Sequence, residues 1–267
     1  MRSLLAAFAL LVGAPATAQP VLTSELLHRW QVPEATQGAA VDATHFYAIA
    51  NSKIAKYDRA TGKKLAEWSG EKARYPHINA CALQGKELVC AASNYPAVPQ
   101  ASSVEVFDPV RMVHLRTISL GEQIGSLTWV DRKDGAWWAG FANYDNRGGE
   151  PGRDHRYTAL VKFDDQWRRM ESWVFPKSVL DRMAPYSTSG GAWGSDGRLY
   201  VTGHDRTEAY VLGLPKGGAT LDHVATIEVA AEGQSIAFDR SARAAQVRFG
   251  ITRESREVLE MRLPEVR

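Results

Sequence analysis

Two histidines and one aspartate are the residues of this sequence best suited to acid–base or metal chemistry. His77 opens the segment HINACAL, and His204 and Asp205 lie side by side in TGHDR. An imidazole paired with a carboxylate can act as a general base on a small substrate. With nearby amide and carboxylate oxygens, the same groups could instead hold one divalent cation, which could be Ca, Mg, Mn or Zn. We predict His77, His204 and Asp205 as candidate catalytic residues, with the metal unknown.

The two cysteines, Cys81 and Cys90, are predicted to form a structural disulfide. Between them lies QGKE, in which Gly85-Lys86 fits a two-residue type II′ hairpin turn with glycine first. Pairing outward from that turn places Cys81 opposite Cys90 on one face of two neighbouring strands. Two buried free thiols are the alternative. The spacing excludes a CxxC metal or redox site.

The motifs of several common enzyme and nucleotide-binding families are absent from the sequence. It contains no GxSxG, no P-loop GK[ST], no HExxH and no EF-hand loop. Its 32 lysines and arginines nearly balance 30 acidic residues and are spread along the chain. A nucleic-acid partner calls for a clustered basic face, so we expect none. We expect a monomer.

The first residues have the features of a secretory signal. Arg2 precedes an apolar run, and the small-residue motif ATA ends at Ala18, the predicted cleavage site. The apolar run is too short to span a bilayer, which takes roughly 20 residues, and we expect no transmembrane segment. The prediction is therefore a signal peptide over 1–18, a single domain over 19–267, and a periplasmic or secreted protein.

The elements that must position the candidate residues recur roughly every forty to fifty residues. Five segments pass from small or polar residues to an apolar run: QGAAVD at 37, HINACAL at 77, GSLTWVD at 125, SGGAWGSD at 189 and GQSIAFD at 233. Further runs rich in Val, Ile, Tyr, Phe and Trp follow each of them, which predicts about four strands per repeat. Four-stranded antiparallel units around a channel form a β-propeller.

We predict an all-β fold, a propeller of five blades closed by the N-terminal strand. The fifth repeat has only three strands, and one spare strand, SELLHRWQV at 24–32, precedes the first repeat. Adding it to the last blade closes the ring and hides the open sheet edges. Six blades are the alternative, because the third and fourth repeats are unusually far apart. Part of that surplus predicts one helical turn at Val179, Leu180 and Met183, capped by Ser178.

Antiparallel connection places one set of polar residues on a single face of the ring. In every blade the innermost strand begins, and the second strand ends, at this upper face, near the channel mouth. The predicted ligand-binding residues there are Gln37, Asn51, Asn79, Asn94, Asn143, Asp145, Ser189 and Gln234. Asparagines at strand ends can instead cap their own turns. On the opposite, lower face we predict turn-forming aspartates at 58, 108, 131, 164 and 239.

The repeats resemble those of bacterial exported propellers of the YVTN and NHL type, over nearly the whole mature chain. Gluconolactonase-like propellers hold a divalent cation with Glu, Asn and Asp, and Asn94, Asn143 and Asp205 stand at similar places. The glutamate expected in the first blade is missing, with Gln37 nearest. Plant-type glutaminyl cyclases have five blades and a QG opening similar to Gln37-Gly38, but their glutamate would fall near Asn51. Propeller lactonases and muconate cyclases, often labelled cycloisomerases, are a third resemblance.

Two functions follow from this resemblance and from the upper-face residues. The first is a small polar ligand bound at the channel mouth, with lactone-type ring opening or closing by a hydrolase or cyclase. The second is a non-catalytic propeller that binds a protein or a glycan through its loop-rich face.

Overall fold

A computed structural model describes residues 20–241 and 247–266, so the predicted signal peptide at 1–18 lies outside the described residues. The chain forms five small sheets arranged in a ring, which we call blades 1 to 5 in chain order. Each blade is antiparallel from its innermost to its outermost strand, apart from one added parallel strand in blade 4. This confirms the five-bladed propeller and excludes the six-bladed alternative.

The first three blades are each formed by four consecutive strands. Blade 1 contains β3 (Gly38–Val41), β4 (His45–Ala50), β5 (Lys53–Asp58) and β6 (Lys64–Ser69). Blade 2 contains β7 (His77–Gln84), β8 (Glu87–Ser93), β9 (Ala101–Asp108) and β10 (Val113–Glu122). Blade 3 contains β11 (Ser126–Lys133), β12 (Ala136–Ala142), β13 (Ala159–Phe163) and β14 (Arg169–Val174).

The last two blades contain the strands that join the two ends of the chain. Blade 4 contains β15 (Gly190–Trp193), β16 (Leu199–Thr202), β17 (Glu208–Gly213), β18 (Asp222–Glu228) and the added β1 (Val21–Thr23). Blade 5 contains β19 (Ala237–Phe238), β20 (Val247–Thr252), β21 (Glu257–Arg262) and β2 (Glu25–Gln31). β2 pairs antiparallel with β21, so the predicted closure is confirmed. β1 runs parallel to β18, an addition that the sequence analysis missed.

Packing between blades forms the core. Inner strands such as β4 are buried on both faces and have continuous apolar sequences, whereas the outermost β6 alternates between exposed and partly buried positions. Five apolar clusters fill the five interfaces between neighbouring blades. The interface between blades 5 and 1 is built around Trp30 of the closing strand, with Phe46 and Phe249.

The surplus residues between the third and fourth repeats form a 3₁₀ turn, η1 (His155–Tyr157), and a short helix, α1 (Lys177–Met183). As predicted, the helix buries Val179, Leu180 and Met183. The predicted cap is wrong: Pro176 is the N-cap residue, and the Ser178 hydroxyl lies 2.9 Å from Nδ1 of His223. Serine competes with helical hydrogen bonds and can bond to a neighbouring element instead.

Cys81 and Cys90 form the predicted disulfide, with their Cα atoms 4.0 Å apart. Their strands pair in the predicted register, with Cys81 opposite Cys90 and Gln84 opposite Glu87. Gly85 has φ of 62°, the positive value that a type II′ turn needs at its first central residue. The disulfide therefore links the two innermost strands of blade 2.

Within the described residues, the structure contains no helix that is both long and apolar enough to cross a membrane.

Candidate functional site

The channel itself is too narrow for a ligand, so the upper face is the place to look for a site. The cavity along the innermost strands, lined among others by Val41, Ala80 and Val130, has a volume of only about 40 Å³. On the upper face, a cleft of about 370 Å³ is lined by His204, Asp205, Glu232 and Arg253, among others. Sites for small molecules have volumes of roughly 300–1,000 Å³.

His77, the first residue of β7, is held by Asn51 of blade 1. Its Nδ1 lies 2.7 Å from Oδ1 of Asn51. An amide oxygen only accepts hydrogen bonds, so Nδ1 carries the proton and the lone pair is on Nε2. Burial, together with smaller effects of the nearby Arg253 and His204, lowers the pKa of His77 to about 4. His77 is therefore a neutral imidazole at physiological pH.

His204 lies two residues after the end of β16, between a carboxylate and a guanidinium. Its Nδ1 is 2.5 Å from Oδ1 of Asp205, and its Nε2 is 3.1 Å from Nη1 of Arg253. Because a guanidinium only donates, Nε2 must accept, and the proton on Nδ1 is donated to Asp205. The Tyr186 ring stacks on the imidazole with centroids 4.1 Å apart. The ring and its tautomer are thus fixed from three sides.

The His204 loop is supported by the segment that enters blade 5. Nε2 of Gln234 donates to the backbone oxygen of His204 at 3.3 Å, and the backbone N–H of Gln234 donates to the backbone oxygen of Gly203 at 2.9 Å. Gly233 has φ of 44°, and a Cβ there would come within 2.5 Å of the backbone oxygens of Gly203 and His204. Only glycine allows so close an approach at this point.

Aromatic rings continue from His77 along the upper face. Tyr95 lies 5.0 Å from the His77 ring, and Tyr144 lies 5.1 Å from Tyr95. Burial raises the pKa of Tyr95, a shift that the Tyr186 hydroxyl adds to and Arg147 and Arg253 oppose. The hydroxyl of Tyr95 is therefore protonated at neutral pH and lies near two cations.

Five of the predicted residues are brought together at the mouth. They are Asn51, His77, His204, Asp205 and Gln234. His77 and His204 come from blades 2 and 4, and each lies on the upper face, as the antiparallel connections predict. Among the described residues, Asn51 is the one predicted residue that lies within hydrogen-bond distance of the His77 ring.

The other predicted ligand residues form hydrogen bonds with neighbouring loop and strand residues instead. The side chain of Asn94 bonds Pro99 and Ala101 in its own loop, as the turn-capping alternative proposes. Asn143 donates to Ile124 and Tyr157, and Asn79 donates to Leu127. Gln37 and Ser189 are buried, and their backbone groups bond Ser235 and Thr202. Asp145 accepts from His155 at the blade 3 rim.

Arg253 is the main residue of the site that the sequence analysis missed. It directly follows β20, the second strand of blade 5, just as His204 closely follows β16, the second strand of blade 4. The rule that the second strand ends on the upper face therefore could have found it. Tyr95 and Tyr144 follow Asn94 and Asn143 and carry the same signal.

One group of three potential metal ligands occurs in the described part of the chain. Ligand atoms of Asp145, Asp154 and His155 lie within 4.8 Å of one another in the blade 3 loop. His155 donates to Asp145, and Asp154 pairs with Arg156 through several hydrogen bonds. These internal contacts account for the group.

Comparisons with known proteins support the fold. No protein-family model matches the chain, and no curated protein does. The glutaminyl cyclase of Myxococcus xanthus is similar, with a TM-score of 0.59 and 10% identity, over 92% of this chain and 98% of that one. A luciferin-regenerating enzyme gives a TM-score of 0.50 and 11% identity, over 91% of this chain and 95% of that one. At such identities the likeness shows the propeller fold alone, and the YVTN or NHL type stays a prediction.

We expect the neutral state of His77 to make stability depend on pH. Its ordinary pKa of 6.5 falls to about 4 in the folded protein. Between these values the unfolded chain binds a proton that the folded protein does not, so stability decreases as the pH falls from 6.5 to 4. Urea denaturation of wild type and His77→Gln should show the wild type losing about 2–3 kcal/mol relative to the variant over this range. A difference in stability that is the same at pH 7 and pH 4 would contradict this.

Proposed function

We propose that this chain binds a small polar ligand at the upper mouth and catalyses ring opening or closing of the lactone type. The observation that carries the proposal is the hydrogen bond between His204 and Asp205. The imidazole donates its Nδ1–H to the carboxylate, so the Nε2 lone pair points away from Asp205. An imidazole held in one tautomer by a carboxylate is the usual arrangement of a general base. The pair lines a cleft large enough for a small metabolite.

In the proposed hydrolysis, Nε2 of His204 takes a proton from a water molecule, and the resulting hydroxide attacks the lactone carbonyl carbon. The ring C–O bond then breaks, and the leaving alkoxide takes the proton back from the imidazolium. Asp205 stabilises the imidazolium while it exists. Ring closure follows the same steps in reverse.

His77 has a different role from His204 in this proposal. A general base works best when its pKa lies near the working pH, and the pKa of His77, about 4, is far below that. A neutral imidazole whose Nδ1–H is held by Asn51 offers a constant acceptor at Nε2. We assign it to binding a substrate hydroxyl. These steps use no cation, and elemental analysis of the purified protein would check whether a divalent cation is bound.

The proposed location is periplasmic or extracellular. The Cys81–Cys90 disulfide supports it, because disulfides persist in oxidising compartments. The two solved structures described above are named as enzymes, a glutaminyl cyclase and a luciferin-regenerating enzyme. Their names support the proposal that a propeller of this kind can be catalytic.

The experiment is a pH-stat assay of lactone hydrolysis, using neutral and carboxylate-bearing lactones. We expect His204→Gln to lower kcat by about 10²-fold or more, since general-base catalysis contributes roughly 10²–10⁴-fold. His45→Gln is the matched control, because His45 begins β4 on the lower face, next to Asp42. The variant should keep wild-type activity. An unchanged kcat in His204→Gln would contradict the assignment of His204 as the general base.

A non-catalytic role remains the second candidate, because the upper-face loops expose apolar side chains. Val98 is 50% exposed and Tyr157 is 52% exposed, each in the loop that follows the second strand of its blade. Such residues are suited to contact a protein or a glycan. This role would be favoured if none of the lactones is turned over and a Val98→Ser, Tyr157→Ser double variant loses a partner that wild type retains.

A further inference from the structure

Arg253 differs in its partner from Arg59 and Arg182, two arginines that are half-buried as it is. Each of these two pairs with a buried or half-buried carboxylate. The Arg253 guanidinium instead donates to the neutral Nε2 of His204, at 3.1 Å. Among residues 20–241 and 247–266, no carboxylate lies within salt-bridge distance of it. A guanidinium has five N–H donors, so most of its donors are free for a ligand.

Three carboxylates line this cleft: Asp205 and Glu232 are engaged by hydrogen bonds, and Glu254 is exposed and, among the described residues, forms no ion pair with Arg253. Asp205 accepts the Nδ1–H of His204. Glu232 accepts a hydrogen bond from the backbone N–H of Arg253 at 2.9 Å, which holds the backbone of this arginine in place. Arg253 also lies close enough to His77 and Tyr95 for its charge to lower the pKa of each. The Arg253 guanidinium therefore faces both the cleft and the channel mouth.

We propose that the ligand carries an oxyanionic group, a carboxylate or a phosphate, which binds Arg253 and frees Nε2 of His204. The inference rests on the proposed function and names the class of its substrate. A guanidinium binds a planar or tetrahedral oxyanion through paired charge-assisted hydrogen bonds, which are roughly twice as strong as neutral ones. An oxyanion therefore competes well with an imidazole for Arg253.

This arrangement couples recognition to activation. In the structure the lone pair that the base needs accepts a hydrogen bond from Arg253. A ligand that lacks an anion leaves it occupied, whereas an anionic ligand draws the guanidinium away and exposes Nε2. Arg253 would thus be both a binding residue and the determinant of selectivity for anionic substrates.

The test measures imidazole ¹⁵N chemical shifts of His204 during titration with malonate and, separately, inorganic phosphate, at constant ionic strength set by NaCl. We expect saturable binding of at least one anion, together with a shift of the Nε2 signal. Arg253→Gln should raise the Kd at least tenfold, because it removes the charge-assisted hydrogen bonds to the anion. In the absence of any anion, this variant should already show the Nε2 shift of the anion-bound wild type. The two anions show which oxyanion is preferred.

Arg256→Gln is the matched control, because Arg256 lines the same cleft and is exposed. It should bind the anions as wild type does. Arg253→Lys keeps the charge, should restore part of the affinity, and covers the case in which the glutamine variant fails to fold. The proposal would be overturned if Arg253→Gln left the Kd unchanged, or if Arg253→Gln and Arg256→Gln lost equal affinity. It would also be overturned if neither anion saturated the wild type. Equal turnover of neutral and carboxylate-bearing lactones would also overturn it, while leaving the proposed function standing.

Discussion

Replacing Trp30 by alanine is expected to destabilise the ring by about 3–5 kcal/mol, the usual cost of removing a large buried aromatic side chain. Trp30 lies on β2, the strand that closes blade 5, and is only 8% exposed. Its ring centroid lies 4.7 Å from that of Phe46 in blade 1 and 5.8 Å from that of Phe249 in blade 5. The substitution would therefore leave a cavity at the interface where the two ends of the ring meet.

Packing alone accounts for this expected loss. The indole Nε1 has no hydrogen-bond partner among the described residues, so the alanine variant loses no hydrogen bond at this position. Leu26→Ala is the matched control on the same strand, because Leu26 is 37% exposed. Its effect should stay within about 0.5 kcal/mol, as is usual for surface substitutions. Guanidinium denaturation of both variants measures the two costs, and equal costs would contradict the role of Trp30 in closure.

Replacing Asp131 by alanine is expected to destabilise the protein by about 2–4 kcal/mol, because it leaves buried hydrogen-bond donors without their acceptor. The carboxylate is 1% exposed and pairs with Nη2 of Arg240 at 2.6 Å. It also accepts from Nε2 of Gln84 and from the backbone N–H of Trp193, each at 2.8 Å. Asp131 thus joins blades 2, 3, 4 and 5 around the lower end of the channel. Its prediction as a simple turn former is wrong.

Two variants separate the charge of Asp131 from its volume. Asp131→Asn keeps the size and some acceptor capacity, so it should lose less stability than the alanine variant. Asp164→Ala is the control, since Asp164 accepts backbone N–H groups of its own exposed turn, as predicted for the lower-face aspartates. Thermal unfolding should place the control near wild type and Asp131→Ala far below it. A small shift in Tm for Asp131→Ala would show that the four blades do not depend on this carboxylate.

The sequence by itself determined the architecture. Repeating apolar runs of strand length predicted five blades, with six as the alternative, and a missing strand at one end with a spare strand at the other predicted the closure. The hairpin register at Cys81 and Cys90 followed from a single Gly-Lys turn, because a two-residue turn leaves no freedom in strand pairing. The common face of His77 and His204 followed from antiparallel connection alone.

Only the tertiary structure decided which side chains meet on that face. Asn51 and Asn94 occupy equivalent positions after second strands, yet one holds His77 and the other caps its own loop. Likewise, Asp131 near the end of β11 and Asp164 directly after β13 both lie on the lower face, but only Asp131 bonds to residues of other blades. Strand order fixes where a backbone ends, because it depends on local pairing. The direction of a side chain beyond that point depends on contacts between distant segments, such as Arg253 with His204, and sequence periodicity carries no record of them.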